Sequence, residues 1–216
     1  MKTQHRLLSF GTISAALLLT AGALYAAGAM VRYEAQPESK VRIDGTSTIH
    51  DWTVQGTIIG GFVEADPNFA KDPGTVSKMN PKVEVTIPVR SLKSDQATAM
   101  NNVMYEAMKQ KEFPKIEYRL KQMTLKSQPS SPAGPYLFDT KGNLTVSGVT
   151  RTNEMIVSMV KLADNKLKFT GTNSLKMTDF GIKPPAPALA LGMIKTGDDV
   201  RISFEWVTAQ GSGEAK

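Results

Sequence analysis

The chain has 216 residues, 41% of them hydrophobic and 21% charged, a balance typical of a globular protein with one large β domain or two small ones. It contains no cysteine, which excludes disulfides, a thiol nucleophile and thiolate metal ligands. Its net charge of +6 is scattered, without a basic run interleaved with aromatic residues. We therefore expect no nucleic-acid binding and at most a transient contact with anionic membrane surfaces.

The N-terminal segment has the features of an export signal. Lys2 and Arg6 give it a positive start, and an uncharged run, residues 7–29, follows. The run ends in Ala27-Gly28-Ala29, a small-residue pattern that predicts cleavage after its last residue or after Ala26. Because the run is long enough to span a bilayer, an uncleaved anchor stays open. We predict a signal peptide over the first 29 residues and a periplasmic or secreted protein.

The mature chain is predicted to contain one structured domain. Residues 30–40 are interpreted as a linker, residues 41–208 as the domain and residues 209–216 as a disordered tail. Within the domain, successive segments alternate apolar and polar residues as strands do, and one segment has the apolar spacing of a helix.

The stretch from Asp44 to Phe62 alternates apolar or small residues with polar ones, which predicts one long strand with a buried face. Glycines at Gly56 and Gly60-Gly61 predict a bend or bulge within it, as expected where a sheet curls into a barrel wall. The residues predicted to face inward are His50, Trp52, Val54, Ile58 and Phe62.

Between Asp95 and Lys111 the apolar spacing changes to that of a helix. Asp95 is the predicted N-cap, and Pro114 is expected to force the chain out of the helix. The apolar face carries the stripe Met100, Met104 and Met108. Two interpretations stay open: the stripe is the packed face of the helix, or it covers a cavity mouth where flexible thioethers adapt to a varied apolar ligand.

Further alternating segments continue to the last strand, which ends near Trp206. Asp164-Asn165 predicts a tight hairpin turn. The segment just before it, residues 154–162, is apolar on both faces, so the pattern does not assign which face is directed into the protein. The inward candidates in these segments are Val85, Tyr118, Leu144, Phe169, Ile202 and Phe204. About eight to ten strands and few bulky aromatic residues predict a mainly β, antiparallel barrel that holds a cavity, with a sandwich as the alternative.

Five short motifs stand in order along the chain. They are GTSTIHDW at 45–52, KEFPKIEY at 111–118, GNLTVSGVTR at 142–151, DFGI at 179–182 and GDDV at 197–200. Together they resemble the YceI family of bacterial secreted proteins, over nearly the whole mature chain. The resemblance implies an extended, lipocalin-like antiparallel barrel whose apolar interior binds a long isoprenoid, such as a polyprenyl compound or a quinone tail. The first motif is more similar to a subgroup without a second histidine further along, which leaves the ligand's identity open.

Catalytic and metal sites have little support in the sequence. His50 followed by Asp51 suggests a base and its orienting carboxylate, but adjacent strand residues point to opposite faces. His50 is the only histidine beyond the signal segment, which excludes a multi-histidine metal site. Asp66, Asn68 and Asp72 resemble a weak calcium site, although a solvated turn explains them better. We predict no catalytic residue, no metal and no cofactor.

The main hypothesis is a non-enzymatic carrier or store of an isoprenoid or other long-chain lipid outside the cytoplasm. The inward candidates and the methionine stripe are its predicted ligand contacts. Two alternatives stay open: a hydrolase or isomerase that uses His50 inside the cavity, and a structural β domain with a solid core. The sequence also leaves a homodimer open.

Overall fold

The computed structural model describes residues 30–75, 81–95, 98–131, 133–186 and 194–211. The predicted signal peptide lies outside the described residues, as does the tail beyond residue 211. Within the described ranges the chain is mainly β with one α-helix, as predicted. No helix in those ranges is long and apolar enough to cross a membrane.

The described residues form one sheet of eleven strands, each paired antiparallel to its neighbours. The strands are β1 (Val31–Ala35), β2 (Lys40–Ser47), β3 (Trp52–Gly56), β4 (Gly60–Ala65), β5 (Lys82–Pro88), β6 (Lys93–Ser94), β7 (Lys115–Ser127), β8 (Tyr136–Val146), β9 (Val149–Lys161), β10 (Lys166–Lys176) and β11 (Thr196–Gln210). The helix α1 spans Thr98–Ala107, and short 3-10 segments lie at Pro73–Thr75, Val89–Ser91 and Met177–Phe180.

Eight of these strands close into a barrel in the order β1-β4-β5-β7-β8-β9-β10-β11, because β11 pairs back with β1. The last residues of β11, Thr208 to Gln210, make this closing contact. Its earlier part, Thr196 to Glu205, pairs instead with β2, from which β3 and β6 extend the sheet. Closure pairs the strand edges that an open sheet leaves exposed. The predicted barrel is confirmed, and the sandwich alternative is wrong.

Two tight hairpins join the long strands β8, β9 and β10. Val146 pairs with Val149 across Ser147 and Gly148, which both have positive φ, 49° and 79°. Two central residues in that conformation match the right-handed twist of the flanking strands. The predicted turn at Asp164-Asn165 is likewise found, with φ of 56° and 53°.

The stretch predicted to be one long strand is in fact three. The chain reverses at residues 48–51, so that Gly45 of β2 faces Trp52 of β3. Ser47 holds this reversal, because its Oγ donates to His50 O at 2.7 Å and accepts from His50 N at 3.2 Å. A bend at residues 57–59, between the predicted glycines, then separates β3 from β4. Each break shifts the inward-facing residues between odd and even numbers, which alternation alone does not reveal.

The linker prediction for residues 30–40 is wrong, because this segment contains β1. Tyr33 pairs with Val63 of β4 on one side and with Gln210 of β11 on the other, and only 3% of its surface is exposed. Val31, Tyr33 and Ala35 alternate with charged residues, but five residues are too few for a distinctive pattern. The strand β11 also extends into the predicted tail, as far as Gln210.

The helix prediction is confirmed, although the helix is shorter than predicted and does not end at Pro114. It stops at Ala107, and Lys109 then adopts a left-handed conformation with φ of 51°. This conformation ends a helix by turning the backbone away from its axis. Residues 96–97 are not described, so the N-cap role of Asp95 stays a prediction.

Contacts at both ends of α1 fix it to the sheet. Asn101 Oδ1 accepts a hydrogen bond from Ser94 N of β6 at 2.7 Å. Tyr105 Oη donates to Leu92 O at 2.8 Å. Ser147 Oγ, in the β8–β9 hairpin, donates to Met108 O just after the helix, at 2.9 Å. The helix therefore lies against the end of the barrel at which β2, β3 and β6 replace β1 and β4.

Candidate binding cavity

The barrel encloses a cavity of about 310 Å³, within the size range of small-molecule pockets. Its walls are the inward-facing side chains of strands around the barrel. Residues of α1 and of the Met177–Phe180 segment line it at one end, and Phe69, in the loop after β4, lines it at the other. Phe69 is fully buried, which makes this second end a packed floor.

Much of the apolar wall is accessible from within the cavity. Val85, Leu144, Ile202 and Phe204 line it and are half-buried, whereas a filled core would bury them. Apolar surface in contact with water is unfavourable by roughly 25 cal/mol per Å². The cavity is therefore suited to an apolar molecule that covers this surface.

Most of the residues predicted to contact a ligand do line the cavity. They are Trp52, Val54, Val85, Met100, Met104, Met108, Tyr118, Leu144, Phe169, Ile202 and Phe204. The methionine stripe both packs and faces the cavity: Met108 is only 9% exposed, and all three methionines are in the lining. Their contact with a ligand stays a prediction.

Three predicted residues are not in the lining. His50 is exposed in the β2–β3 turn, where its Nδ1 lies 2.9 Å from Asp51 O. Ile58 is 55% exposed in the bend between β3 and β4. Phe62 is on the outer face of β4, where Arg32 Cζ lies 3.5 Å from its ring centroid. The predicted inward placement of these side chains is wrong, because the two chain breaks shift which residues face inward.

The same breaks explain the residues that the sequence prediction missed. The cavity is also lined by Ile43 in β2, Ile59 just before β4 and Val63 in β4. These residues have odd numbers, whereas the sequence pattern predicted that the even-numbered residues of this stretch face inward. Met155 and Val157 in β9, whose inside was not assigned, also line it. A hydrophobicity pattern restarted at each turn is the signal that finds the first three.

Three buried polar atoms on residues of this lining have no hydrogen-bond partner among the described residues. They are Tyr118 Oη, Asn153 Oδ1 and Trp206 Nε1. Burial raises the pKa of Tyr118 above 10.0, an effect that the nearby Thr140 hydroxyl partly opposes. Thr140 Oγ1 itself donates to Met155 O at 2.9 Å. Tyr118 is therefore a neutral donor at neutral pH.

Formal charge is nearly absent from the described lining. Lys176, at the end of β10, is its one charged residue. The Lys176 side chain is exposed, and its ammonium pairs with Asp199 at 2.9 Å, a hydrogen bond that raises the pKa of Lys176. Inside the barrel, a charged ligand group has no opposite charge to offset its loss of water.

The carboxylates considered for calcium have structural partners. Asp66 Oδ1 accepts from Asn68 N at 2.8 Å, and Asp72 Oδ1 accepts from Gly74 N at 3.1 Å. Such bonds are typical of Asx turns. No group of three or more histidine or acidic side chains in the described ranges is arranged to hold a metal ion.

The family follows from the sequence match. A family model described as the YceI-like domain matches residues 33–208. The chain belongs to the YceI family. The resemblance found in the five motifs is thereby confirmed. No curated protein matches this chain significantly.

Solved structures share the fold of this YceI-family chain. BcnA of Burkholderia cenocepacia has a TM-score of 0.58 at 17% identity, over 78% of this chain and 95% of its own. A polyisoprenoid-binding domain from Saccharophagus degradans, implicated in plant cell wall breakdown, has a TM-score of 0.60 at 10% identity, over 84% and 99%. The YceI protein of Campylobacter jejuni has a TM-score of 0.52 at 18% identity, over 74% and 85%. At these identities the likeness shows the fold alone.

Proposed function

We propose that this YceI-family protein binds a long-chain isoprenoid or similarly apolar lipid inside its barrel, and carries or stores it without catalysis. The observation that carries the proposal is the cavity of about 310 Å³, lined from the helix end to the Phe69 floor by apolar side chains. The Saccharophagus degradans domain of the same fold is described as polyisoprenoid-binding, which supports this choice of ligand.

The energetics favour a long tail. Each buried methylene contributes about 0.8 kcal/mol, or roughly 4 kcal/mol for a five-carbon isoprene unit. Association and ordering oppose binding by about 4 to 15 kcal/mol. Burial of a few isoprene units in the cavity therefore offsets the free-energy cost of association and ordering. A short apolar molecule buries less surface and is expected to bind weakly.

The alternatives have less support. A solid-cored structural domain does not explain a cavity of this size. A hydrolase or isomerase that uses His50 requires this residue in the cavity, but His50 is exposed in the turn and is absent from the lining of the described residues. We propose no catalytic residue.

We also propose that the protein is exported to the periplasm or secreted. Cleavage after Ala26 or Ala29 removes the predicted signal and leaves β1, which begins at Val31, intact. The intact mass of the protein recovered from the periplasmic fraction should correspond to a chain that starts at residue 27 or 30. Full-length protein found only in the membrane fraction would instead indicate an uncleaved anchor.

Lipid extraction tests the ligand proposal. The protein is purified without detergent, extracted with chloroform and methanol, and the extract is analysed by mass spectrometry. We expect an isoprenoid or other long-chain lipid, close to one molecule per barrel, that a matched mock purification lacks. Light scattering on the same sample measures the homodimer that the sequence leaves open. A lipid-free protein whose melting temperature is unchanged by added isoprenoid would refute the carrier function.

A further inference from the structure

The wall formed by β7, β8 and β9 carries a polar patch within the apolar cavity. Tyr118 extends from β7, Thr140 from β8 and Asn153 from β9, and all three line the cavity. The Tyr118 ring lies against Gly142 of β8, and Gly142 pairs directly with Asn153. The strand register therefore places the Tyr118 ring and Asn153 on either side of Gly142.

The patch contains one free donor and one free acceptor. Asn153 is only 6% exposed, and its Oδ1 has no hydrogen-bond partner among the described residues. The same holds for Tyr118 Oη. Buried polar atoms are nearly always hydrogen-bonded, because an unsatisfied one loses its water without compensation. An apolar tail that fills the cavity leaves both atoms unsatisfied, whereas a polar group on the ligand satisfies them.

We propose that Tyr118 and Asn153 form an internal site for a hydroxyl group of the bound lipid. The Tyr118 hydroxyl donates to the ligand oxygen, and the ligand hydroxyl donates to Asn153 Oδ1. A hydroxyl is both donor and acceptor, so it satisfies both atoms at once. A ketone or aldehyde only accepts and leaves Asn153 Oδ1 unsatisfied. This inference rests on the proposed function.

The surroundings exclude an anionic group at the same place. The single charged residue in the described lining, Lys176, lies at the end of β10 and pairs with Asp199. A phosphate or carboxylate beside Tyr118 loses its hydration without a cationic partner. The third unsatisfied atom, Trp206 Nε1, is on β11, two strands beyond β9 in the barrel, and we do not include it in the site.

Four probes with the same tail test the site. They are geranylgeraniol, the corresponding aldehyde, the corresponding hydrocarbon and geranylgeranyl phosphate, each titrated into delipidated full-chain protein by calorimetry. We expect the alcohol to bind about 3- to 10-fold tighter than the hydrocarbon for each hydrogen bond gained. The aldehyde should fall between them, and the phosphate should bind no better than the hydrocarbon.

Matched variants assign the effect to the two residues. Tyr118→Phe keeps the ring and removes the hydroxyl, and Asn153→Leu keeps the volume and removes the amide. Each should lower the ratio of alcohol affinity to hydrocarbon affinity. Tyr136→Phe is the control, because Tyr136 stacks on Phe138 and is not in the described lining. If Asn153→Leu does not fold, the Tyr118→Phe titration alone decides.

The outcomes separate this site from the proposed function. Equal binding of alcohol and hydrocarbon by the parent protein overturns the hydroxyl site, since water then satisfies the patch, and leaves the carrier function standing. Tighter binding of the aldehyde than of the alcohol also overturns it, as does an alcohol preference that survives both substitutions. If none of the four probes binds, the carrier function fails, and the site fails with it.

Discussion

A Cβ atom added to Gly142 would lie 2.4 Å from both Cζ and Oη of Tyr118. The tyrosine ring therefore lies directly against the backbone of the neighbouring strand, in space that any larger residue at position 142 takes away. This contact sets the position of the Tyr118 hydroxyl within the cavity. It also makes Gly142 a sensitive position in the barrel wall.

We expect Gly142→Ala to lower the free energy of unfolding by about 1 to 3 kcal/mol, because the new methyl group overpacks against the Tyr118 ring. Urea denaturation measures the change. The control is Gly60→Ala, also in a strand, where the nearest atom to the new Cβ is Thr86 O at 3.6 Å, an ordinary contact. Adding Tyr118→Leu to Gly142→Ala should recover part of the loss, since the two sites are coupled. Equal denaturation midpoints for the two alanine variants would contradict the contact.

Filling the cavity should weaken lipid binding with little effect on the lipid-free fold. Leu144→Trp puts a larger apolar side chain into the space that Leu144 lines. Displacing two methylenes of the tail removes about 1.6 kcal/mol, so we expect at least about a tenfold loss of affinity for a long isoprenoid. The melting temperature of the lipid-free protein should be unchanged or higher, because the side chain fills existing space.

The matched control is Ile156→Trp, since Ile156 is 46% exposed on β9 and is absent from the described cavity lining. This variant should bind lipid like the parent protein. Unchanged affinity in Leu144→Trp would show that the tail does not occupy this part of the barrel.

His50 has an exposed position in the turn before β3, so its removal should have little effect on the buried tail. We expect His50→Ala to change isoprenoid affinity by less than about twofold, which is within the range of surface substitutions. Met104→Ala, which removes a cavity-lining side chain, is the positive control and should weaken binding. A large loss in His50→Ala, with an unchanged circular dichroism spectrum, would restore the ligand role predicted from the sequence.

The free energy of unfolding should fall at alkaline pH because of two tyrosines, the buried Tyr33 and the half-buried Tyr118. Burial raises the pKa of both Tyr33 and Tyr118 above the ordinary 10.0. A raised pKa in the folded state means that the unfolded chain releases the proton first. The stability tied to the neutral phenols is therefore complete below about pH 10 and is lost as the pH rises through the folded pKa.

Urea midpoints at pH 8 and pH 11 measure this loss in the parent and in Tyr118→Phe. The parent should lose more stability than the variant between the two pH values. Absorbance at 295 nm should show one fewer late-titrating tyrosine in Tyr118→Phe than in the parent. Identical pH dependence in the two proteins would indicate that Tyr118 is accessible to water when unliganded.

Local patterns along the sequence determined much of this protein. Alternation within a single strand placed Val85, Leu144 and Ile202 on the inner face correctly, because side chains alternate strictly in an unbroken strand. The helical spacing of the methionines located α1, since tertiary packing reinforces that amphipathic face. The five ordered motifs identified the YceI family before any contact was known.

Chain reversals were decided by tertiary structure. Residues 48–51 contain no glycine or proline that would mark a turn, so the local sequence does not separate a hairpin from a long strand. Pairing with neighbouring strands fixes the reversal and the later bend at residues 57–59, and each one shifts the inward positions by one residue. His50, Ile58 and Phe62 are consequently outside the cavity lining of the described residues.

The polar patch is also a product of the fold. Tyr118, Gly142 and Asn153 are far apart in the sequence and meet only because β7, β8 and β9 pair in one register. Nothing in the residues around Asn153 marks it as inward-facing, since the segment after it is apolar on both faces. The sequence therefore determined that the barrel is apolar inside, and the strand register decided where two unpartnered polar side chains lie in its wall, because register is set by contacts between distant segments.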